Sequence, residues 1–318
     1  MRSNWFIIAI FVAIAIAYFL PQGPELLRLK LITDVGIGLI FFFYGLKLSP
    51  AEFKQGLMNY KIHIIIHLTT FLIFPMLCIA CLPLFDQGLQ SESWIALFFL
   101  GTLPSTVSSS VVMVAVARGN LPAAIFNASL SGLLGIFATP LWLGMVLESS
   151  TDFDFLSVLQ KLMLQIVAPL LTGLFLQKFL GTWASKHSKK LSNFDKATII
   201  LIIYTSFSNS FSSNIFATIS WGEILKMAMI VINLFFLVYY GTLLASKALR
   251  LNTRDTITAQ FCGTKKSLVH GSVMVRVIFG STANSGLILL PIMLYHSTQL
   301  ILIAWFAEKY RTRKSDLE

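Results

Sequence analysis

Ten stretches of mostly apolar residues follow one another along the chain, near 4–20, 31–48, 60–82, 93–117, 119–147, 156–180, 195–213, 221–248, 256–278 and 282–306. A bilayer core about 30 Å thick is crossed by a helix of about 20 such residues. In lipid each segment must satisfy its own backbone, so runs of this kind predict helices. A membrane β-barrel would instead alternate apolar and polar residues over segments of about ten. Only 12% of the 318 residues are Asp, Glu, Lys or Arg, and the mean hydropathy is +0.78. A soluble domain carries about a quarter charged residues, so this chain cannot cover a water-facing surface. Three cysteines cannot frame a disulfide scaffold. The net charge of +10 fits cytoplasmic loops rather than a nucleic-acid surface. The expected class is an all-α polytopic membrane protein, with the lipid bilayer as its environment and no nucleic-acid partner.

The charges orient the spans. With the N-terminus in the cytoplasm, the inner segments hold Arg2, Lys47, Lys54, Lys61, Arg118, Lys178, Lys186, Lys189, Lys190, Lys196, Lys247, Arg250, Arg254, Lys309, Arg311, Arg313 and Lys314. The outer segments hold only Arg28, Lys30, Lys161, Lys226 and Arg276, and the outer connections carry Asp86, Glu92, Glu148, Asp152 and Asp154. The positive-inside rule then puts both termini in the cytoplasm, which requires an even number of spans. The first span follows Arg2, ends at Pro21 and lacks a small-residue cleavage site, so it reads as a retained helix. The longest polar stretch, Gly181 to Lys190, reads as a cytoplasmic connection. The expectation is a single membrane domain over 1–318, with repeats at about 1–150 and 155–306 and a short cytoplasmic tail at 307–318.

Two spans are unusual. Gly101-Thr-Leu-Pro-Ser-Thr-Val-Ser-Ser-Ser-Val-Val112 and Gly263-Thr-Lys-Lys-Ser-Leu-Val-His-Gly-Ser-Val-Met274 match at six of twelve positions, at an offset of 162. Five spans lie in each half. An odd number forces the halves into opposite orientation, the pattern of an inverted repeat. Gly and Pro in mid-span free backbone groups. Such groups are tolerated at membrane depth only beside protein or a water-filled cavity. Broken, polar segments at matching positions of two halves point to a transporter binding site.

The run Leu103-Pro-Ser-Thr-Val-Ser-Ser-Ser-Val-Val, followed by Ala117-Arg-Gly-Asn120, Asn127 and Thr139-Pro140, resembles the bile acid:sodium symporter family. Phe261-Cys-Gly-Thr-Lys-Lys-Ser-Leu268 is similar to the variant in its SBF-like subgroup. The resemblance covers essentially the whole chain. It implies ten helices in a five-plus-five inverted repeat, divided into a panel and a core, with the fourth and ninth broken and crossing. It also implies a sodium-coupled solute transporter. Sodium-coupled members carry E-x-G-x-Q in the ninth helix. Aligned on Gly263, this chain has Phe261 in place of the Glu and Lys265 in place of the Gln. One sodium site loses its carboxylate and the other gains a fixed cation. The remaining family positions for an ion fall at Ser109, Ser110, Asn127 and Ser131.

An ionisable residue within a span is a functional candidate by default. Lys265 and Lys266 are about ten residues, roughly 15 Å of helix, from either end of their span. The expected solute site comprises these two with Thr264, Ser267, His270, Pro104, Ser105 and Thr106. Lys265 is the first candidate to stand in for a sodium ion, with Lys266 only as a helper to the anion site, because adjacent helical residues diverge by about 100°. An ammonium in that position either stays charged and pairs with an anionic solute or gives up its proton and carries a transported one. His63 and His67 share a helix face, but no third ligand is near in sequence, so no metal and no cofactor are expected beyond sodium or a proton as coupling ion. Cys78 and Cys81 lie in an apolar helix and read as packing residues. Gly263-Thr-Lys-Lys-Ser lacks the P-loop pattern, and no Ser–His–Asp constellation is evident. The expected function is secondary transport of a small organic anion, without enzymatic activity, in a bacterial inner membrane. The alternatives are a membrane regulator of calcium homeostasis or an intramembrane hydrolase.

Overall fold

The computed structural model describes residues 4–26, 29–48, 60–147, 155–213, 220–280 and 284–312, and among these every regular element is helical. Arg2, Arg28, Lys54, Glu148, Asp152, Asp154, Arg313 and Lys314, used above to orient the chain, lie outside the described residues. The helices are α1 (Asn4–Phe19), α2 (Leu29–Lys47), α3 (60–80), α4 (Glu92–Thr102), α5 (Ser108–Val116), α6 (Leu121–Leu147), α7 (155–186), α8 (Ser188–Ser212), α9 (Trp221–Ala248), α10 (Thr253–Thr264), α11 (Leu268–Ile278) and α12 (Ser285–Arg311).

Six described helices are long and apolar enough to cross a membrane: α2, α3, α6, α7, α9 and α12. The four remaining expected spans do not qualify as single helices, for visible reasons. α1 is short, and the expected spans at 93–117 and 256–278 are each split in two, as α4/α5 and α10/α11. α8 opens on Ser188-Lys-Lys-Leu-Ser-Asn-Phe-Asp-Lys196, too polar for lipid. The polar stretch 181–190, expected as a connection, is helical on both sides of His187, because charged helix ends can extend into water. α12 likewise runs to Arg311, into the expected tail.

Three helix starts, those of α4, α9 and α10, follow capping residues. Ser91 accepts from Trp94 N–H, Asn252 from Asp255 N–H, and Ser220 with Glu223 forms a reciprocal capping box. Wide π turns interrupt α3 at Thr69–Ile73 and α7 at Met163–Val167, each just ahead of a proline, Pro75 and Pro169. The missing proline N–H leaves the ladder unable to continue in α register there.

The helices sort into two groups. α7 lies along α2, α1 along α8, and α8 against α2, with α8 also packing on α11 and α12 of the second group. α2 and α7 meet backbone to backbone: a Cβ on Gly45 would sit 2.3 Å from Leu170 O, and one on Gly173 2.1 Å from Phe42 O. Small residues of this kind bring helices close where lipid supplies no hydrophobic drive. The other group, α3 to α6 and α9 to α12, surrounds the meeting point of the two breaks.

Candidate functional site

The two breaks meet in the interior. α4 ends at Thr102 and α10 at Thr264, residues 162 apart, and the chain leaves both in extended conformation: φ −67° and ψ 150° at Leu103, φ −78° and ψ 146° at Lys265. The first break runs over 103–107 and the second over 265–267. From the sequence the second break is expected near Gly263–Lys265, and it does begin at Lys265. Gly263 and Thr264 instead complete the last turn of α10, because Gly263 is in ordinary helical space with room around it. Ser267 N–H donates to Pro104 O at 2.8 Å, and Ser105 Oγ donates to Cys262 O at 2.6 Å. Ser105 and Ser267 therefore share one contact region.

A helix ended in a dry interior must find partners for its last carbonyls. Here they are supplied one by one. Thr139 Oγ1 donates to Thr102 O at 2.9 Å, and Tyr295 Oη to Thr264 O at 2.6 Å. Lys266 Nζ donates to Gly101 O at 2.6 Å and to Leu103 O at 2.8 Å. Its third hydrogen bond goes to Thr70 O on α3, at 2.8 Å. Pro75 explains that acceptor. In the wide turn Phe74 N–H reaches back to Thr69 O, so the next bond would need a proline N–H, and Thr70 O is left free. Phe71 O, one residue on, is taken by Trp142 Nε1 at 2.7 Å. Phe74 lies under the ammonium, 4.3 Å from Nζ to the ring centre. The Lys266 backbone is clamped as well: Gln299 Oε1 accepts from Lys266 N–H and Gln299 Nε2 donates to Lys266 O, both at 2.8 Å. All three ammonium hydrogens of Lys266 are thus spent on carbonyls, at the negative end of α4.

Lys265 is placed differently. It is fully buried, and Nζ donates to Ser109 O at 2.8 Å, with Ser109 Oγ at 3.4 Å. This puts the ammonium at the N-terminal turn of α5, whose cap residue Val107 offers no side-chain acceptor. A helix N-terminus carries positive partial charge and unpaired N–H groups. Cation and helix end together make a place that an anion, not a second cation, would complete.

The remaining expected residues are distributed as follows. Thr106 Oγ1 lies 2.9 Å from Ser109 Oγ and 2.8 Å from Ser110 Oγ, a hydroxyl cluster beside Lys265. Ser131 Oγ accepts from Ser105 N–H at 2.9 Å. Asn127 donates to Ala123 O and faces His63 Nδ1 through its Oδ1 at 3.0 Å. Ser109 and Ser110 thus share Thr106, while Ser131 bonds to the Ser105 backbone and Asn127 to Ala123 and His63. Ser267 caps α11 by accepting from His270 N–H, and its Oγ is 3.0 Å from His270 Nδ1. His270 packs edge-on to Phe41 and Tyr44 of α2. Among the described residues no three His, Cys, Asp or Glu side chains gather where they could hold a metal. Asn120, from the Ala117–Asn120 segment, ties to Asp255 at the start of α10 at 2.7 Å. Arg276 Nε pairs with Asp34 Oδ1 at 3.2 Å, joining α11 to α2.

Sequence reasoning missed Pro75, Thr70, Tyr295, His296 and Gln299. The last three form one polar face in a span otherwise read as apolar, and that pattern was the available signal.

The profile matched by residues 4–312 is described as that of the SBF-like CPA transporter family. The chain belongs to this family. Its relatives include an uncharacterised protein of Pseudomonas aeruginosa, 33% identical over 98% of this chain and 94% of its own length. YfeH of Escherichia coli, named as a symporter, is 30% identical over 98% of this chain and 94% of its own. Sodium/bile acid cotransporter 7 of Xenopus tropicalis is 31% identical over 95% of this chain and 90% of its own. The resemblance carried by Leu103–Val112 and Phe261–Leu268 thus extends over the chain, and the chain is an integral membrane protein of a transporter family of the bile acid:sodium symporter type.

Proposed function

We propose that the chain is a secondary transporter that moves a small organic anion by alternating access, with Lys266 taking the place of one sodium ion. The observation that carries this reading is the Lys266 ammonium on the Thr70, Gly101 and Leu103 carbonyls. Carbonyl oxygens from interrupted helices are the usual ligands of a coupling cation at a transporter midplane. Here a covalently attached cation has them. The first candidate for that part was Lys265. Its position at the α5 N-terminus suits it to the anion instead.

The same reading has ten spans in a five-plus-five inverted repeat over about 1–150 and 155–306. Both termini are cytoplasmic and the membrane is a bacterial inner membrane. Its support is the pair of helix ends 162 residues apart with matching backbone angles and the basic excess on the inner segments. α1, α2, α7 and α8 would form the panel, and the helices around the crossing the core.

A thermal-shift screen on purified protein finds the solute, because a ligand of the folded state raises apparent stability by mass action. Uptake of that solute into proteoliposomes then tests the coupling. Wild-type uptake is expected to persist when sodium is replaced by potassium or choline. Lys266→Gln is expected to lose at least about tenfold in rate, equivalent to one charge-assisted hydrogen bond, and to regain part of it with added sodium. Strict sodium dependence of the wild type, unchanged in Lys266→Gln and Lys265→Gln, would falsify the reading.

A further inference from the structure

His296 stands one turn before Gln299 on α12, and its protonation pattern can be deduced from backbone atoms. Gln299 is bound to both the N–H and the C=O of Lys266. A backbone N–H only donates and a carbonyl only accepts, so the oxygen and the nitrogen of the Gln299 amide are assigned without ambiguity. The same Nε2 lies 2.9 Å from His296 Nδ1. Since Gln299 Nε2 is a donor, His296 Nδ1 must be a bare acceptor. The ring is then neutral and carries its proton on Nε2. That N–H has no partner among the described residues, and it is not among the sealed, unpartnered polar atoms. Gln299 Nε2 joins the His296 ring to the Lys266 carbonyl, which seats the ring at the 265–267 break, beside the residue that follows Lys265. The acceptors of Lys265 Nζ among the described residues both belong to Ser109, which leaves at least one ammonium hydrogen unassigned.

We infer that His296 is a solute-contacting, specificity-determining residue, locked by Gln299 as an Nε2–H donor, so that the site reads one negative charge through two converging donors, Lys265 and His296. The inference rests on the transport reading above and adds the residue and the valence of the solute. Lys266 is fully spent on carbonyls and His296 is neutral, so Lys265 alone supplies net charge. A carboxylate suits this arrangement: one charge, two oxygens, one for each donor. A dianion would leave a charge uncompensated in a buried site. A neutral amide of the same shape would set its own N–H₂ against a donor.

The test uses the full chain, labelled with ¹⁵N-histidine, in lipid bilayers at pH 7. The chain has five histidines, and His296→Gln assigns the signal by its loss. The expected wild-type spectrum has a neutral His296 with the proton on Nε2. The probes are acetate, benzoate and taurocholate, with benzamide as the neutral match. At least one carboxylate or sulfonate anion is expected to shift the Nε2 resonance, and benzamide is not. His296→Gln is expected to weaken binding of that anion about tenfold, the loss of one hydrogen bond to a charged group. Gln299→Leu is expected to release the lock and let both tautomers appear. An Nδ1–H or imidazolium form in the wild type overturns the inference, as does an unmoved His296 with all three anions. Uptake into proteoliposomes separates this from the transport reading. Equal anion uptake by wild type and His296→Gln sinks the role of His296 and leaves transport standing. The expected spectra with no uptake by sealed vesicles keep the site and sink transport.

Discussion

The break at 103–107 and the break at 265–267 leave their helices at matching positions with nearly the same backbone angles, yet they do opposite things afterwards. The first presents bare carbonyls, those of Gly101, Leu103 and Pro104, and follows them with a helix that has no side-chain cap. The second brings donors to those carbonyls, through Lys266 Nζ and Ser267 N–H, and caps its own next helix with Ser267. Apart from Ser105 Oγ, which donates the other way to Cys262 O, one copy of the motif has become acceptor and the other donor. Pairing of unlike halves satisfies a buried backbone that two like halves would leave short of hydrogens.

The comparison breaks most sharply at Lys266. Lys266→Ala removes the donor from three buried carbonyls, and unsatisfied buried polar groups cost about 1–3 kcal/mol each. The expected loss is on the order of 3–5 kcal/mol, read as a fall in melting temperature in detergent, and partly recovered by sodium chloride in the variant but not in the wild type. A variant as stable as the wild type would mean the cage is not stabilising. The next effect tests how tightly the acceptor break is seated. A Cβ on Gly135 of α6 would lie 2.6 Å from Pro104. Gly135→Ala should therefore destabilise by about 1–3 kcal/mol through overpacking, and a neutral outcome would show that the first break can move aside. Ser267→Ala should cost about 1 kcal/mol through the lost α11 cap, whereas the uncapped α5 has no counterpart to lose. The smallest effect is at Gly263. Nothing approaches closer than 3.6 Å to a Cβ there, and helix propensity favours Ala over Gly by up to about 1 kcal/mol. Gly263→Ala should be neutral or slightly stabilising by the same melting assay. A loss of more than about 1 kcal/mol would return Gly263 to the break itself.

Much of this arrangement was legible in the residues. Pro104 among hydroxyl residues and two lysines in mid-span located the breaks within a few residues, because both violate what a lipid-embedded helix tolerates. Ser105 and Ser267, paired by the repeat, do meet. What stayed hidden depends on reach and register. Which of two adjacent lysines takes the carbonyls is decided by a free acceptor on α3. That acceptor exists only because Pro75 removes one N–H, and nothing in the local sequence around Lys266 reports it. Tyr295, His296 and Gln299 were passed over because a few polar residues in a long apolar run look like ordinary bundle hydrogen-bonders. The length of α8 was misjudged because Lys189, Lys190 and Lys196 argue against lipid but not against helix.

The three-way grip of Lys266 also has a mechanical side. One ammonium bonded to α3 and to the end of α4, on a backbone clamped by α12, pins four chain segments at a point. Segments pinned together can rotate as a rigid body but cannot slide past one another without breaking several short hydrogen bonds at once. Any large displacement must then be taken up where the grip is lighter. The described contacts offer such a seam along α2 and α8, where α11 is held to α2 by the pair of partly exposed Asp34 with buried Arg276 and by the ring edges of Phe41 and Tyr44 against His270. On the transport reading proposed above, a lysine in a carbonyl cage thereby decides which part of the molecule is the piston and which the cylinder.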